Sequence, residues 1–244
     1  MSIQDHLRAR LRNVGVLRAG YRRVSSTARR EARDDERLQL LLAFVLDEDS
    51  NCLDVGSNRG GVLEHIVRLA PRGRHIAYEP LPALCEGLRS RFPGVDVRNT
   101  ALSNEPGTRT FLYVENHPAL SGFRRRAYPS EPVTLELEVQ VERLDDSLPD
   151  GYVPSLIKVD VEGAEREVLE GALGTIARHR PVVVFEHGKG AAPFYGTKPG
   201  DVHDLLCERA RLRIFDLDGN GPFNREEFAR IFEQGDRWNF IAHG

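Results

Sequence analysis

Apolar and amphipathic segments alternate along most of the chain, and most apolar segments stop at glycine or at an acidic residue. The apolar segments have the length of buried strands, and the segments between them repeat apolar positions with helical spacing. Strands that alternate with helices predict an α/β fold built from parallel βαβ units. Predicted strands lie at residues 51–55, 75–78, 95–101, 156–161, 181–185, 211–216 and 238–242, and predicted helices at residues 61–69, 83–92, 164–178, 201–210 and 224–232.

Two further segments have a different pattern. Residues 108–114 and 133–141 alternate apolar and polar side chains, with the leucines and valines of the second segment on one side. This alternation is typical of half-exposed antiparallel strands. We expect an inserted β-hairpin that is added to the main sheet, with a loop between its strands.

The composition is that of an ordinary globular protein. Of the 244 residues, 40% are hydrophobic and 29% are charged, and the net charge of −3 gives no general attraction to nucleic acid or anionic membranes. The sequence has no apolar run of membrane-spanning length and no signal-peptide core near its start, so we expect neither a membrane nor a nucleic-acid partner. Three widely spaced cysteines without a metal-binding spacing favour a reducing, cytoplasmic location.

The segment before the regular pattern is rich in arginine. Residues 8–37 contain Arg22-Arg23 and Arg29-Arg30 among acidic residues. Such mixed charge favours a solvated helical extension over an arm that binds nucleic acid or a membrane. We therefore predict a helical N-terminal extension at residues 1–38 and one domain at residues 39–244. Homo-oligomerisation is left open.

A glycine loop follows the first predicted strand. Gly56, Asn58 and Gly61 occupy the three positions of a G-x-G-x-x-G motif, with asparagine in the middle. In a dinucleotide site the middle glycine lets the backbone approach a pyrophosphate, which an asparagine side chain would crowd. Asp54 at the strand end would repel phosphates and would suit an ammonium group or the loop amides. S-adenosylmethionine, which has an ammonium, a sulfonium and no phosphate, matches these requirements.

An acidic residue also ends the second predicted strand. Glu79 can accept hydrogen bonds from both hydroxyls of an unphosphorylated ribose. Taken alone, Glu79 is equally a surface acid before a proline turn. Together with Asp54, Gly56 and Gly61 it favours an adenosyl ligand.

Several segments resemble the FkbM-like family of S-adenosylmethionine-dependent methyltransferases. The most specific is IKVDVEGAE at residues 157–165. The other segments that resemble the family are LDVGSNRG at 53–60, YEP at 78–80, NTALS at 99–103, VLEGA at 168–172, FEH at 185–187 and WNF at 238–240. The resemblance covers roughly residues 40–244.

The resemblance implies a Rossmann-like class I methyltransferase fold, in which a mostly parallel seven-stranded sheet has an antiparallel last strand. It implies transfer of a methyl group from S-adenosyl-L-methionine, usually to a hydroxyl oxygen of a small molecule, sugar or natural product. It also implies a role for each matching residue: Asp54, Gly56 and Asn58 for the methionine part of the cofactor, Glu79 for the ribose, Asn99 and Ala101 for the adenine, and Asp160 for the methionine part or the acceptor. Ser57, Gly61 and Pro80 complete the expected cofactor-binding set.

A hydroxyl acceptor is a poor nucleophile until it loses its proton, so a base or a metal is needed. Asp160, Glu186 and His187 lie at neighbouring predicted strand ends and are the candidate catalytic residues. His187 is the first choice for the base because the pKa of histidine lies near neutrality. The alternative is a histidine that only hydrogen-bonds its loop. Asp160 and Glu186 could instead share a divalent cation.

Two other segments carry candidate chemistry. The loop at residues 117–128 is a candidate lid over the acceptor, with Ser121, Arg124 and Arg125 as contacts, although a solvated loop is the simpler interpretation. Residues 216–227 match the EF-hand pattern D-x-[DN]-x-[DN]-G-x5-E. A calcium loop needs a preceding helix, however, and a strand is predicted there, so a strand–turn–helix connection is favoured. The rival functions are therefore an NAD-dependent oxidoreductase and a non-catalytic calcium-binding module.

Overall fold

The computed structural model describes residues 28–235 and 237–244. Contacts divide the chain into two units, Met1–Leu41 and Leu42–Gly244. Helix α1 covers residues 28–45. Of the predicted N-terminal extension, residues 1–27 lie outside the described residues, together with the Arg22-Arg23 pair. The described helices are all too short or too polar to span a bilayer.

The described part of the second unit contains ten strands in two sheets. In chain order they are β1 (Cys52–Val55), β2 (Ile76–Tyr78), β3 (Asp96–Arg98), β4 (Ala101–Leu102), β5 (Gly107–Val114), β6 (Thr134–Glu142), β7 (Leu156–Val159), β8 (Val182–Glu186), β9 (Arg213–Asp216) and β10 (Asn239–His243). The larger sheet has seven strands in the order β3–β2–β1–β7–β8–β10–β9. Its first five strands are parallel, and β10 is antiparallel to both neighbours. The predicted seven-stranded sheet with an antiparallel last strand is confirmed.

Seven further helices connect or flank these strands in the described residues. They are α2 (Gly61–Leu69), α3 (Pro82–Arg91), α4 (Leu144–Ser147), α5 (Glu165–Gly171), α6 (Leu173–His179), α7 (Pro199–His203) and α8 (Arg225–Gln234). The single helix predicted at 164–178 is two helices that meet at Ala172. The helix predicted at 201–210 is α7 followed by a π-helical segment, Asp204–Arg209.

The predicted hairpin is present, but it does not join the main sheet. Strands β5 and β6 pair antiparallel along their whole length, and β6 also pairs with β4 to make a separate three-stranded sheet. The reason is that the apolar face of the hairpin has its own core. Phe111, Val139 and Val141 pack there against Leu81 and Ala101.

The parallel strands bring polar residues to one edge of the main sheet. Asp54 lies in register with Lys158 across β1 and β7, and Val55 lies in register with Tyr78 across β1 and β2. The residues that follow these strands, Glu79 and Asp160, therefore lie close to the end of β1. The carboxyl ends of parallel strands are the usual position of ligand sites in open α/β sheets.

Candidate active site

A cavity of about 270 Å³ lies at the carboxyl ends of β1, β2 and β7. Most of the residues predicted from the sequence to bind a cofactor line it: Asp54, Gly56, Ser57, Asn58, Gly61, Glu79, Pro80, Ala101 and Asp160. Asn99 is not among the lining residues, because its side-chain amide donates to the carbonyls of Glu79 and Pro80 at 3.0 and 2.9 Å. Asn99 therefore holds the turn after β2 rather than facing the cavity.

The glycine loop is held in a close-packed conformation with left-handed backbone angles. Gly56 has φ +77°, and a Cβ placed on it would lie 1.9 Å from the carbonyl oxygen of Asp160. The N–H groups of Gly56 and Ser57 both donate to the carbonyl of Tyr78, at 3.0 and 3.2 Å. Asn58 has φ 47°, in the left-handed region that asparagine tolerates better than most residues. The loop is thus fixed by the ends of β2 and β7.

The second essential glycine of this loop is Gly60, which the motif did not identify. Gly60 has φ +77° and precedes the first residue of α2, and a Cβ on it would meet Leu88 and Phe92 at 2.7 and 2.6 Å. A Cβ on Gly61 would have no atom of the described residues within 4 Å. Sequence spacing alone could not separate the two, because the difference lies in packing against α3.

Glu79 is buried, with 4% of its surface exposed. Its carboxylate accepts hydrogen bonds from the backbone N–H of Asn58 at 2.8 Å and of Leu81 at 2.9 Å. Burial raises the pKa of Glu79, and the two N–H donors oppose this increase. Glu79 therefore shapes the glycine loop directly, and a carboxylate retains lone pairs for further donors.

Lys158 is a site residue that the sequence analysis missed. Its ammonium lies 3.2 Å from the carbonyl of Gly56, 3.3 Å from Asp160 and 3.6 Å from Asp54. It is 8% exposed and lines the cavity. The available signal was a lysine inside an otherwise apolar strand, since a strand buried on both faces places every side chain against protein.

The carboxylate of Asp54 is the most unusual group of the site. It is 1% exposed, and neither of its oxygens has a hydrogen-bond partner among the described residues. Burial raises the pKa of Asp54, whereas the Lys158 ammonium lowers it. A buried, unpartnered carboxylate that lines a cavity is suited to a ligand that brings hydrogen-bond donors and positive charge.

More carboxyl groups surround Asp160. Glu186 lies within hydrogen-bonding reach of Asp160, and burial and then the Asp160 charge hold the pKa of Glu186 well above its usual range. Burial also raises the pKa of Glu162 to about 8, although Arg126 pairs with it at 2.6 Å. Glu165 accepts hydrogen bonds from the N–H groups of Val161 and Gly163 and shapes the turn after β7. Of these three glutamates, only Glu162 lines the cavity.

The position of His187 does not suit a general base, the role for which it was the first candidate. Its ring is 1% exposed and packs against Phe228 and Phe232, with ring centroids 5.5 and 4.7 Å away. Burial lowers the pKa of His187 to about 4. Phe185 lies on β8 and His187 directly follows that strand, and both rings pack near Phe228 of α8. The expectation that His187 removes a proton does not fit this position.

We expect His187→Phe to leave binding of S-adenosylhomocysteine within about twofold, because the ring contacts aromatic core rather than cavity. The folded pKa of about 4 lies below the ordinary value of 6.5, so wild type should lose stability as the pH falls through that interval. The variant should lose less. Melting temperatures at pH 7.5 and 5.0 measure the difference, with His65→Phe on α2 as the control. A large loss of binding would indicate that His187 does take part in the site.

Mostly apolar residues of β5 and the loop that follows it also line the cavity. They are Phe111 from β5 and Pro118, Ala119, Ser121 and Phe123 from the loop. The two phenylalanine rings meet edge to face at 5.3 Å, and the Arg109 guanidinium covers Phe123 at 4.1 Å.

The loop at residues 117–128, predicted as a lid over the acceptor, agrees with that prediction only in part. Ser121 does line the cavity, but its hydroxyl accepts from the N–H of Val114 at 3.0 Å. Arg124 and Arg125 are exposed and are not among the lining residues. The N–H of Phe123 donates to the hydroxyl of Tyr195 at 2.9 Å, which ties the loop to the segment after β8.

The structure gives no support to the calcium interpretation. Asp216 is buried, and its carboxylate accepts from Asn220 and from the N–H of Asp218, and pairs with Arg237. Glu227 caps α8 by accepting from the N–H of Asn224 at 3.0 Å. These contacts use carboxylate oxygens of Asp216 and Glu227, the first and last positions of the calcium-binding pattern. More generally, residues 28–235 and 237–244 contain no group of three or more histidine, cysteine, aspartate or glutamate side chains arranged so that they could hold a metal ion.

Comparison with known proteins gives a consistent result. The family model described as Methyltransferase FkbM domain matches residues 54–212, well over half of the chain. Methyltransferase 1 of Beauveria bassiana is 32% identical over 149 residues, which are 51% of this chain and 59% of that protein. Hexuronic acid methyltransferase AglP of Haloferax volcanii is 29% identical over 185 residues, which are 73% of this chain and 70% of that protein.

The crystal structure of methyltransferase FkbM from Methylobacillus flagellatus has a similar fold. Its TM-score is 0.51 with 16% sequence identity, and the match covers 81% of this chain and 44% of that one. At this identity the likeness concerns the fold. The chain thus spans less than half of that solved chain, and its match spans 59% of Methyltransferase 1.

Proposed function

The chain belongs to the FkbM family of S-adenosylmethionine-dependent methyltransferases, and we propose that it transfers a methyl group to a hydroxyl oxygen of a small molecule, sugar or natural product. The observation that carries the proposal is the buried carboxylate of Asp54, whose oxygens have no hydrogen-bond partner among the described residues and only the Lys158 ammonium at 3.6 Å, in a cavity that Glu79 also lines. An acid at each of two neighbouring strand ends suits a ligand with an ammonium group and a free ribose diol.

The residues of the cavity fit the cofactor in three parts. Asp54 would accept hydrogen bonds from the ammonium of the methionine part, and Glu79 from the ribose hydroxyls. Leu84, Ala101 and Phe111 give an apolar wall for a flat base. When bound, S-adenosylmethionine supplies an electrophilic methyl group on a sulfonium. The Asn58 side chain and the Asp54 charge disfavour a pyrophosphate, which counts against NAD.

Asp160 is the proposed residue that receives the acceptor proton. It lines the cavity, and 42% of its side chain is exposed. The Lys158 ammonium at 3.3 Å fixes one of its oxygens. An acceptor hydroxyl that reached the exposed part of the side chain would transfer its proton to a carboxylate oxygen as the oxygen–methyl bond forms. The hexuronic acid named for the Haloferax relative supports a sugar among the acceptors to be tested.

Calorimetry with S-adenosylhomocysteine and with NAD tests the cofactor. We expect S-adenosylhomocysteine to bind and NAD not to bind; the reverse would overturn the proposal. Incubation with methyl-labelled S-adenosylmethionine and a panel of sugars, uronic acids, hydroxylated small molecules and amines, followed by mass spectrometry, identifies the acceptor atom. Labelling confined to amine acceptors would contradict O-methylation.

We expect Asp160→Asn to lower turnover by about 100-fold or more while the affinity for S-adenosylhomocysteine changes by less than about fivefold. Asparagine keeps the shape and an oxygen for Lys158 but accepts a proton poorly. Turnover with an identified acceptor and calorimetry measure the two quantities separately. Asp201→Asn on α7, away from the cavity lining, is the matched control. Turnover near the wild-type value would remove Asp160 from this role.

A further inference from the structure

One ammonium group connects the two halves of the site. The ammonium of Lys158 donates to the carbonyl of Gly56 in the glycine loop and contacts the carboxylate of Asp160 after β7. A carboxylate oxygen of Asp54 lies 3.6 Å from the same ammonium nitrogen. Lys158 reaches all three because it lies in register with Asp54 on the neighbouring strand. It is therefore the only cation within 4 Å of Asp54 among the described residues.

Other groups around Asp54 cannot replace this charge. Asp160 acts on it from the end of β7 and Glu79 from the end of β2, and both are acids. Cys52 on the same strand is a buried thiol. Without Lys158, an acid with 1% exposure would stand among other acids with no compensating charge. A buried carboxylate in that position takes up a proton instead of remaining charged.

We propose that Lys158 is a positioning residue that keeps Asp54 charged, and so able to bind the ammonium end of the cofactor, while it fixes Asp160 on the acceptor side. The inference rests on the proposed function, because it needs a cofactor with an ammonium group. A net negative set of two carboxylates and one ammonium remains attractive to such a cation. The same lysine thereby aligns the cofactor half of the site with the acceptor half.

The test uses Lys158→Gln, which keeps a hydrogen-bond donor but removes the charge. Calorimetry should give an affinity for S-adenosylhomocysteine at least about tenfold weaker than wild type at pH 6. Because Asp54 must then lose a proton before it binds the ammonium, the affinity of the variant should rise with pH, by up to about tenfold per unit, relative to wild type. Binding measured in two buffers of different ionisation enthalpy should show additional proton release.

Lys189→Met, at an exposed pair with Glu233, is the matched control and should match wild type at each pH. Lys158→Arg should retain most of the affinity and the wild-type pH dependence, since it retains the charge. A structural role alone would weaken binding equally at every pH. Unchanged affinity of Lys158→Gln, or a loss that does not vary with pH, overturns the inference.

A second measurement tests the inference even if Lys158→Gln folds poorly. If Lys158 compensates a charged Asp54, the double variant Asp54→Asn with Lys158→Gln should unfold at a higher temperature than Lys158→Gln alone. An equal or lower melting temperature contradicts the inference. If wild type itself fails to bind S-adenosylhomocysteine, the proposed function fails first; if wild type binds and Lys158→Gln behaves identically, only the role of Lys158 fails.

Discussion

Replacing Glu79 by alanine should abolish measurable binding of S-adenosylhomocysteine, with a dissociation constant raised at least about 100-fold. The carboxylate holds the N–H groups of Asn58 and Leu81, so its loss leaves two buried donors unpaired. Each such donor costs about 1–3 kcal/mol. The glycine loop would lose one of its connections to the end of β2, while the bonds from Gly56 and Ser57 to the Tyr78 carbonyl remain, and the ligand would lose its acceptor for the ribose hydroxyls. Calorimetry and thermal unfolding measure the two losses.

Two further variants separate the causes. Glu79→Gln keeps one oxygen for a backbone N–H, but its amide group places a donor against the other N–H, so an intermediate affinity is expected. Glu86→Ala, on the exposed side of α3, should match wild type in both measurements. A dissociation constant for Glu79→Ala within about threefold of wild type would refute the assignment of Glu79 to the ribose.

The sheet could be predicted because its signal is local. Four of the five parallel strands, β1, β2, β7 and β8, are mostly apolar and end at a glycine or an acid. The residue that ends such a strand lies at the ligand edge of the sheet. This reasoning predicted that Asp54, Glu79 and Asp160 lie near one another, and in the structure all three line one cavity. The hairpin could also be predicted, from the alternation of apolar and polar residues in its two strands. Its separation into a second sheet could not be predicted, because that separation depends on packing against Leu81 and Ala101.

The residues beside the site were harder to predict for a geometric reason. Consecutive residues in extended backbone point to opposite faces, so Glu186 and His187 are not expected to face one crevice together. The sequence pattern did not show that His187 packs against the aromatic residues of α8, which are distant in sequence, or that Glu186 lies outside the cavity lining. Lys158 was missed because a lysine in an apolar strand usually suggests an exposed edge. Its partners, Asp54 and Gly56, come from a segment about a hundred residues earlier.

Among the glycines that the structure describes, Gly56 should be the one at which a change to alanine is most damaging. Its Cβ would lie 1.9 Å from the carbonyl oxygen of Asp160, and its φ of +77° is one that alanine avoids. The left-handed conformation alone costs about 1–2 kcal/mol, and backbone atoms can move away only by separating β1 from β7. We expect the free energy of unfolding to fall by at least about 3 kcal/mol, with loss of S-adenosylhomocysteine binding. Chemical denaturation and calorimetry measure both.

Alanine at other glycines gives the comparison that makes this result specific. A Cβ on Gly61 or on Gly87 has no atom of the described residues within 4 Å, and both residues lie in helices. Helical glycine to alanine changes usually stabilise by about 0.4–1 kcal/mol, so these two variants should unfold at or above the wild-type temperature. Gly87→Ala, which lies outside the cavity lining, should also bind S-adenosylhomocysteine normally. If Gly56→Ala behaved like Gly87→Ala, the close contact between the glycine loop and Asp160 would be wrong, and with it the arrangement that lets Lys158 contact both.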